Sequence, residues 1–194
     1  MINLVVATKE FNIIDKLIAY LRSSRIKKYI NNGDRVLDFG CGNQGYFLKY
    51  VREIINEGIG FDSEVENGNY DNLMFIKFIF KNKLPDNIGK FDKIVMLAVL
   101  EHIEVNNVDN LLAEFKKVLK NKGQIILTTP TPISKPLLEI LAKLGIINND
   151  EIADHKKYYS KTDITELAHK NKLKLVSYKL FQLGFNSEII FEKT

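Results

Sequence analysis

Residues 36–47 read Val-Leu-Asp-Phe-Gly-Cys-Gly-Asn-Gln-Gly-Tyr-Phe, and the rest of the predicted fold is arranged around them. The first two residues are apolar and β-prone, residues 40–45 form a small, polar turn, and apolar residues then recur at helical spacing. Glycines let a backbone approach a ligand closely, and the free N–H groups that open a helix face the same place. The stretch therefore predicts a strand, a glycine loop and a helix, with room for a nucleotide over the loop.

Two carboxylates indicate which kind of nucleotide fits. Asp38 ends the strand two residues before Gly40, where a loop that receives a pyrophosphate more naturally carries an apolar residue. A carboxylate at this point repels phosphate and suits a cationic or amine-bearing ligand. Asp62 ends a second short strand, 24 positions after Asp38, which is about the interval at which βαβ units present an acid to ribose hydroxyls.

Four motifs, in this order and at these intervals, resemble those of class I S-adenosylmethionine-dependent methyltransferases. They are residues 36–42, 60–62, 91–103 and 119–127. The resemblance is close over about residues 33–130, and elsewhere it is limited to the pattern of strands and helices. It implies S-adenosylmethionine as the cofactor and an α/β three-layer αβα sandwich. The sheet would be Rossmann-like and mostly parallel, with seven strands in the order 3-2-1-4-5-7-6 and an antiparallel last strand.

The resemblance also implies which residues surround the cofactor. The methionine part would lie near Asp38 and the glycine loop, the ribose near Asp62, and the rest beside the ends of the third and fourth strands. These cofactor-binding candidates are Asp38, Gly40, Cys41, Gly42, Gly45, Asp62, Ser63, Phe80, Leu97 and Ala98.

Two departures from the family pattern stand in this region. Gln44 occupies a position where the family usually has glycine, and Gly45 follows one place later. The acid that often binds the adenine amine is absent from residues 78–82, which leaves backbone groups, Asn82 or packing against Phe80 for adenine selection.

Glu101 and His102 follow the fourth strand at its carboxyl end, the edge at which open α/β sheets present ligands. An imidazole, with an unperturbed pKa near ~6.5, can accept a proton from an acceptor hydroxyl or amine. The pair is the candidate catalytic group, and the alternative is that it only orients the loop before the next helix. His155, Tyr158 and Tyr159 are candidate acceptor-binding residues, or ordinary packing of a lid.

We interpret the 194 residues as one domain, with an N-terminal helix over about residues 10–30 and an insertion over the ligand edge at residues 131–159. The single cysteine and the absence of paired Cys/His clusters favour a reducing cytoplasm and predict no disulfide and no metal site. The longest apolar run, residues 94–100, is far shorter than the ~20 residues of a membrane span. No signal peptide is indicated.

The net charge of +4 comes with lysine pairs spread along the chain, a pattern that disfavours nucleic acid as a partner. The sequence leaves the oligomeric state open. It favours methyl transfer from S-adenosylmethionine to a small molecule by in-line displacement, helped mainly by holding donor and acceptor in near-attack geometry. One alternative is a non-catalytic protein that binds a cofactor or partner on this fold. The other is an NAD-dependent Rossmann oxidoreductase, which Asp38 disfavours.

Overall fold

The computed structural model describes residues 13–144 and 152–194. The strands are β1 Arg35–Phe39, β2 Glu57–Asp62, β3 Gly68–Tyr70, β4 Leu73–Lys77, β5 Phe91–Leu97, β6 Leu119–Pro130, β7 Leu173–Phe181 and β8 Asn186–Lys193. The α-helices are α1 Ile13–Lys27, α2 Tyr46–Val51, α3 Val105–Val118, α4 Lys135–Lys143 and α5 Lys161–Lys170, and 3-10 turns lie at Leu100–His102 and Pro132–Ser134. None of the described helices is both long and apolar enough to cross a membrane.

Six of the described strands run in the same direction, so their carboxyl ends lie at one edge of the sheet. The order is β3-β4-β2-β1-β5-β6-β8-β7. Strands β4, β2, β1, β5 and β6 pair in parallel, whereas β8 runs antiparallel to both β6 and β7. With β3 set aside, this is the predicted order 3-2-1-4-5-7-6 with the last strand antiparallel. The predicted fold class is therefore confirmed.

The extra strand at the sheet edge is the main difference from the predicted topology. Residues 63–71 read as a polar loop or short helix, but β3 within them pairs antiparallel with β4, around a turn in which Asp71 has a φ of 53°. All residues of β3 are exposed, so no hydrophobic periodicity marked it as a strand.

Several element ends also differ from the sequence prediction. The third predicted strand, residues 73–79, ends at Lys77, and the strand predicted for residues 124–129 begins at Leu119 and ends at Pro130. The N-terminal helix, predicted for residues 10–30, occupies Ile13–Lys27, and residues 10–12 lie outside the described part of the chain.

Alternate residues of the central strands enter two separate apolar cores, which is why helices cover both faces. Leu37 and Ile94 belong to the core that also contains Phe115 of α3 and Ile164 of α5. The neighbouring residues of those strands, such as Val36 and Val95, point to the opposite face, where α1 and α2 pack. Strands buried on both faces read as continuous apolar runs, as β5 does.

The helix α1 is fastened to the sheet by a buried carboxylate. Glu188 of β8 has no exposed surface, and its Oε2 lies 2.5 Å from Arg25 Nε and 3.5 Å from Lys28 Nζ. The hydroxyl of Tyr29 donates to the same carboxylate, and burial followed by this contact raises the pKa of Tyr29 to about 12. A buried carboxylate needs such partners, so the N-terminal helix has a defined position over β8.

Candidate functional site

The glycine loop after β1 is closely packed at Gly45 and has free space beside Gly42. Gly45 has a φ of 58°, and a Cβ there would lie 2.1 Å from the Phe75 ring, so the loop packs closely on β4. Gly42, with a φ of 70°, has no atom within 4 Å of the place that a Cβ would occupy. The backbone at Gly42 is therefore accessible to a ligand, while the end of the loop is held against the sheet.

Asp38 is buried directly beneath this loop with an unsatisfied carboxylate. The side chain is 1% exposed, and its Oδ2 has no hydrogen-bond partner among the described residues. Burial, with a smaller contribution from the charge of Asp62, raises the pKa of Asp38 from 3.8 to about 8. A buried carboxylate that lacks a partner is costly to ionise, so the site favours a ligand that brings a positive charge.

Asp62 at the end of β2 joins the loop to the second strand. Its Oδ2 accepts from the Gly42 N–H at 2.9 Å, and its Oδ1 accepts from the Glu64 N–H at 2.9 Å. These bonds orient the carboxylate toward the loop. Each carboxylate oxygen has a further lone pair, so both can still accept from ligand hydroxyls.

The remaining cofactor candidates surround the same edge of the sheet. Cys41 is buried, and burial raises the pKa of its thiol, so it is an unreactive packing residue. Ser63 is exposed, and Phe80 is half-buried with its ring 6.0 Å from that of Phe39. Leu97 and Ala98 are half-buried at the end of β5, where Ala98 adopts a φ of 56° and turns the chain out of the sheet.

Close packing connects the glycine loop to the candidate catalytic segment. A Cβ on Gly40 would lie 2.3 Å from Val99 Cγ2, so only a glycine lets the loop approach the chain that leaves β5. Two residues beyond Val99 is Glu101. The end of β1 and the start of the 3-10 turn Leu100–His102 are therefore adjacent.

Glu101 is a buried acid tied to β6. It is 1% exposed, and Thr129 Oγ1 donates to its Oε2 at 3.0 Å. Burial raises the pKa of Glu101, against the opposing effect of the positive charges of His102 and Arg22. The carboxyl group is thus held in one orientation at the carboxyl end of the parallel strands.

His102 and His155 come together although they are distant in sequence. Their ring centroids lie 4.8 Å apart with an interplanar angle of 79°. His102 Nδ1 lies 3.2 Å from Asp154 Oδ2, and His155 Nδ1 lies 2.9 Å from the hydroxyl of Tyr158. Burial, reinforced by the positive charge of His102, lowers the pKa of His155 to about 4, so this ring is neutral at neutral pH.

Of the three acceptor-binding candidates, Tyr159 lies apart from the other two. Its ring is 2% exposed and belongs to the core under α3 and α5, where burial raises its pKa to about 12. His155 and Tyr158, in contrast, line a cleft of ≈ 550 Å³ between α4 and residues 152–158. Asp38 and Asp62 do not line this cleft. The acceptor-binding role of Tyr159 stays a prediction, and its burial disfavours it.

Three residues of the site were missing from the sequence prediction. Thr129 binds Glu101, Asp154 contacts His102, and Val99 packs on the glycine loop. Thr129 lies next to the last residue of the parallel strand β6, at the ligand edge, a position from which it could have been proposed. Asp154 carries no comparable signal, because its partner lies 52 positions away.

The comparisons with known proteins agree with this geometry. A family model described as a methyltransferase domain matches residues 8–178. No curated protein sequence matches the chain.

Solved structures with the same fold share little sequence with the chain. One is from the complex between the Haloferax volcanii Trm112 methyltransferase activator and a putative methyltransferase, with a TM-score of 0.68, 15% identity, and 96% of this chain and 98% of that chain covered. Another is magnesium protoporphyrin IX methyltransferase from Synechocystis PCC 6803 with bound SAH, with a TM-score of 0.67, 14% identity, and 97% and 90% covered. A third is an S-adenosylmethionine-dependent methyltransferase from Mesorhizobium loti, with a TM-score of 0.67, 14% identity, and 87% and 95% covered. At these identities the likeness shows the fold alone.

Proposed function

The chain belongs to the methyltransferase domain family and uses S-adenosylmethionine, and on that premise we propose that it transfers the methyl group to a small-molecule acceptor. The observation that carries the choice of acceptor is the cleft of ≈ 550 Å³ beside His155 and Tyr158. Clefts of roughly 300–1,000 Å³ are the size at which proteins bind small ligands.

The residues around the glycine loop fit the cofactor chemically. S-adenosylmethionine carries a positively charged sulfonium and amine together with ribose hydroxyls. Asp38 offers a buried carboxylate oxygen without a partner, and Asp62 retains lone pairs for hydroxyl donors. The open surface at Gly42 lets the backbone approach the ligand. We therefore assign the methionine part to Asp38 and the ribose to Asp62.

The bound cofactor supplies a methyl group that is already activated on sulfur, so the chain has to position the acceptor and manage its proton. In-line displacement of this kind gains most from orientation. We propose that His102 accepts the proton that the acceptor loses; its ring is oriented by Asp154, 3.2 Å away. We propose that Glu101, bound to Thr129, holds the surrounding segment in place.

The charge on the cleft favours an acceptor with an acidic group. Four lysines and one glutamate line it, together with His155 and Tyr158. The cationic residues are Lys135, Lys143, Lys156 and Lys157. Three of them also pair with acidic side chains, Lys135 with Glu139, Lys156 with Asp154 and Lys157 with Asp163, so the net positive field is small.

Binding of nucleotide cofactors tests the assignment of the loop. S-adenosylmethionine or its demethylated product should raise the melting temperature, whereas NAD should not. At a hundredfold excess over the dissociation constant, the bound ligand adds about 2.7 kcal/mol to the free energy of unfolding. Asp62→Ala should weaken cofactor binding by ~1.5–3 kcal/mol in calorimetry, because charge-assisted hydrogen bonds to the ribose are lost.

The control for Asp62 is Asp86→Asn, which changes an exposed carboxyl far along the chain from the loop. Unchanged cofactor affinity in Asp62→Ala would make Asp62 a turn residue only. Stabilisation by NAD alone would overturn the cofactor assignment. A screen of acidic small molecules with tritiated methyl donor then tests the acceptor class, and turnover of neutral or cationic acceptors only would contradict the proposed charge preference.

A further inference from the structure

We propose that Glu101, His102 and His155 form a binding site for a divalent transition metal ion. Each residue offers one ligand atom, and the three atoms all lie within 4.8 Å of one another. Two imidazole nitrogens and one carboxylate oxygen are a donor set that suits Zn²⁺ and its first-row neighbours, whereas Mg²⁺ and Ca²⁺ prefer oxygen ligands alone.

Backbone hydrogen bonds hold the two ligand-bearing segments together. The N–H groups of Lys156 and Lys157 donate to the Glu101 carbonyl oxygen at 2.7 and 3.4 Å. This contact places His155, the residue before Lys156, beside the 3-10 turn that carries the other two ligands. The segments are joined by the fold itself, so little chain has to be ordered when a metal binds.

The hydrogen bonds around the cluster are those that metal sites need. Ligating histidines in proteins almost always use their second ring nitrogen on a carboxylate, a carbonyl or water, which fixes the tautomer and the ring orientation. Here Asp154 contacts His102 at Nδ1 and Tyr158 contacts His155 at Nδ1. Both contacts leave Nε2 of the ring for a metal. Thr129 orients the Glu101 carboxylate in the same way.

The cluster has to contract modestly on binding. Donor atoms about 2.0–2.2 Å from a tetrahedral metal lie roughly 3.4 Å apart. Separations of up to 4.8 Å therefore require movements of about 1 Å, which small rotations of two partly exposed rings can supply.

Charge near the cluster sets the character of the site. Burial raises the pKa of Glu101 and lowers the pKa of His155, and the positive charge of Arg22 acts to lower both, so a metal ion at the cluster would bind against this charge. Three protein ligands also leave at least one coordination position open, as in catalytic rather than structural zinc sites. We therefore expect an exchangeable metal. If the proposed function holds, an oxygen or nitrogen of the methyl acceptor is a suitable further ligand. A metal on Nε2 of His102 excludes a proton there, because Nδ1 is already engaged with Asp154, so His102 takes the acceptor's proton only in the metal-free protein.

Metal binding can be measured on the protein alone, without S-adenosylmethionine, so the result does not depend on methyl transfer. After dialysis against a chelator, Zn²⁺ and Co²⁺ should each bind with one equivalent in calorimetry and raise the melting temperature. Mg²⁺ at the same concentration should do neither. The visible spectrum of bound Co²⁺ should show nitrogen and oxygen ligation without a thiolate, which separates this site from Cys41.

The chain contains a matched control for the histidines. His102, His155 and His169 are its three histidines, and His169 is exposed on α5 outside the cluster. His102→Ala and His155→Ala should each weaken Zn²⁺ binding by at least ~10-fold, whereas His169→Ala should leave it unchanged. Asp154→Asn should weaken binding by ~10–100-fold, as the loss of an outer-shell partner does.

Three results would overturn the site. The first is no saturable binding of Zn²⁺ or Co²⁺ to the folded wild type. The others are wild-type affinity for Zn²⁺ in His102→Ala and His155→Ala, or a loss of affinity confined to His169→Ala. The melting temperature of each metal-free variant shows whether it folds. If His155→Ala does not fold, Asp154→Asn tests the site instead. The Asp154 side chain is 37% exposed and asparagine is close to it in size, so this variant should fold. Unchanged Zn²⁺ affinity in Asp154→Asn would refute the proposal.

Discussion

The carboxylates and glycine loop of the cofactor side lie in one continuous stretch of chain, whereas the acceptor side joins two distant stretches. Asp38, the glycine loop and Asp62 lie within 24 positions and are bound to one another through backbone N–H groups, as Gly42 is to Asp62. His102 and Asp154 are 52 positions apart and meet only through side chains and the Glu101 carbonyl.

The difference teaches where substitutions should act. A site made from one βαβ unit and its backbone depends on glycine conformations and a few carboxylates. A site made from side chains of two segments depends on each ring and its orienting partner. Changes on one side should therefore leave the other side largely intact, and three predictions test this separation, in order of decreasing effect.

The largest effect should follow His102→Gln. Turnover should fall by the ~10²–10⁴ typical of a lost proton-accepting group, while cofactor affinity stays within a few-fold, because the glycine loop and its carboxylates are unchanged. Single-turnover assays and calorimetry measure the two quantities. His169→Gln, on the exposed side of α5, is the control and should alter neither. If His102→Gln instead lost cofactor affinity, His102 would also belong to the cofactor side, and the proposed separation of the two sides would be wrong.

Asp38→Asn should change the stability of the ligand-free protein on the cofactor side. Between pH 3.8 and about 8, the unfolded chain ionises Asp38 while the folded chain keeps it protonated, so stability falls as the pH rises through this window. The variant lacks this loss. Between about pH 4 and pH 7 the free energy of unfolding should therefore fall by ~4 kcal/mol more in the wild type than in the variant, from ~1.36 kcal/mol per pKa unit over about 3 units.

Urea denaturation across the pH range measures this, and Asp86→Asn serves again as the exposed control. The same Asp38 variant should bind S-adenosylmethionine less tightly, because the negative partner for its positive charge is gone. Identical pH profiles in variant and wild type would mean that Asp38 is already ionised in the folded chain. A normal cofactor affinity would remove it from the cofactor side.

The smallest effect should come from a pair of glycines in the same conformation. Gly42 and Gly33 have φ values of 70° and 83°, and neither has an atom within 4 Å of a would-be Cβ. Alanine at either position should cost a similar ~1–2 kcal/mol of stability for the left-handed conformation. Only Gly42→Ala should also weaken cofactor binding, because the added methyl group would contact the cofactor. Equal cofactor affinity in the two variants would show that the ligand does not lie against Gly42.

The cofactor side was predictable because its signals are local. The first strand with Asp38, the glycine turn and the acid at the end of β2 all follow from short-range patterns, and the sheet order was implied by the resemblance of four such motifs to the family. The short strand β3 escaped prediction for the opposite reason: its residues are all exposed, so no apolar alternation distinguishes it from a loop.

The acceptor side was predictable only in its separate members. Glu101, His102 and His155 could each be named from their place relative to a strand or within the insertion, but no spacing joined them, and the sequence predicted no metal site. Tyr158 and Tyr159 are adjacent in sequence, yet the first lines the cleft and the second is 2% exposed in the core. Which neighbour faces the cleft depends on how the segment packs, and periodicity does not report that in an irregular stretch.

By itself, the sequence determined the alternation of strands and helices, the glycine loop and the two carboxylates of the cofactor side, because βαβ units are specified by periodicity and turn chemistry within about thirty residues. The sheet order was implied by the resemblance of its motifs to the methyltransferase family. Tertiary structure decided that Asp38 Oδ2 is buried without a partner among the described residues, that Val99 packs on Gly40, and that the rings of two histidines lie edge to face beside Glu101. Those features arise from the packing of segments far apart along the chain, and burial and distance between such segments have no local signature.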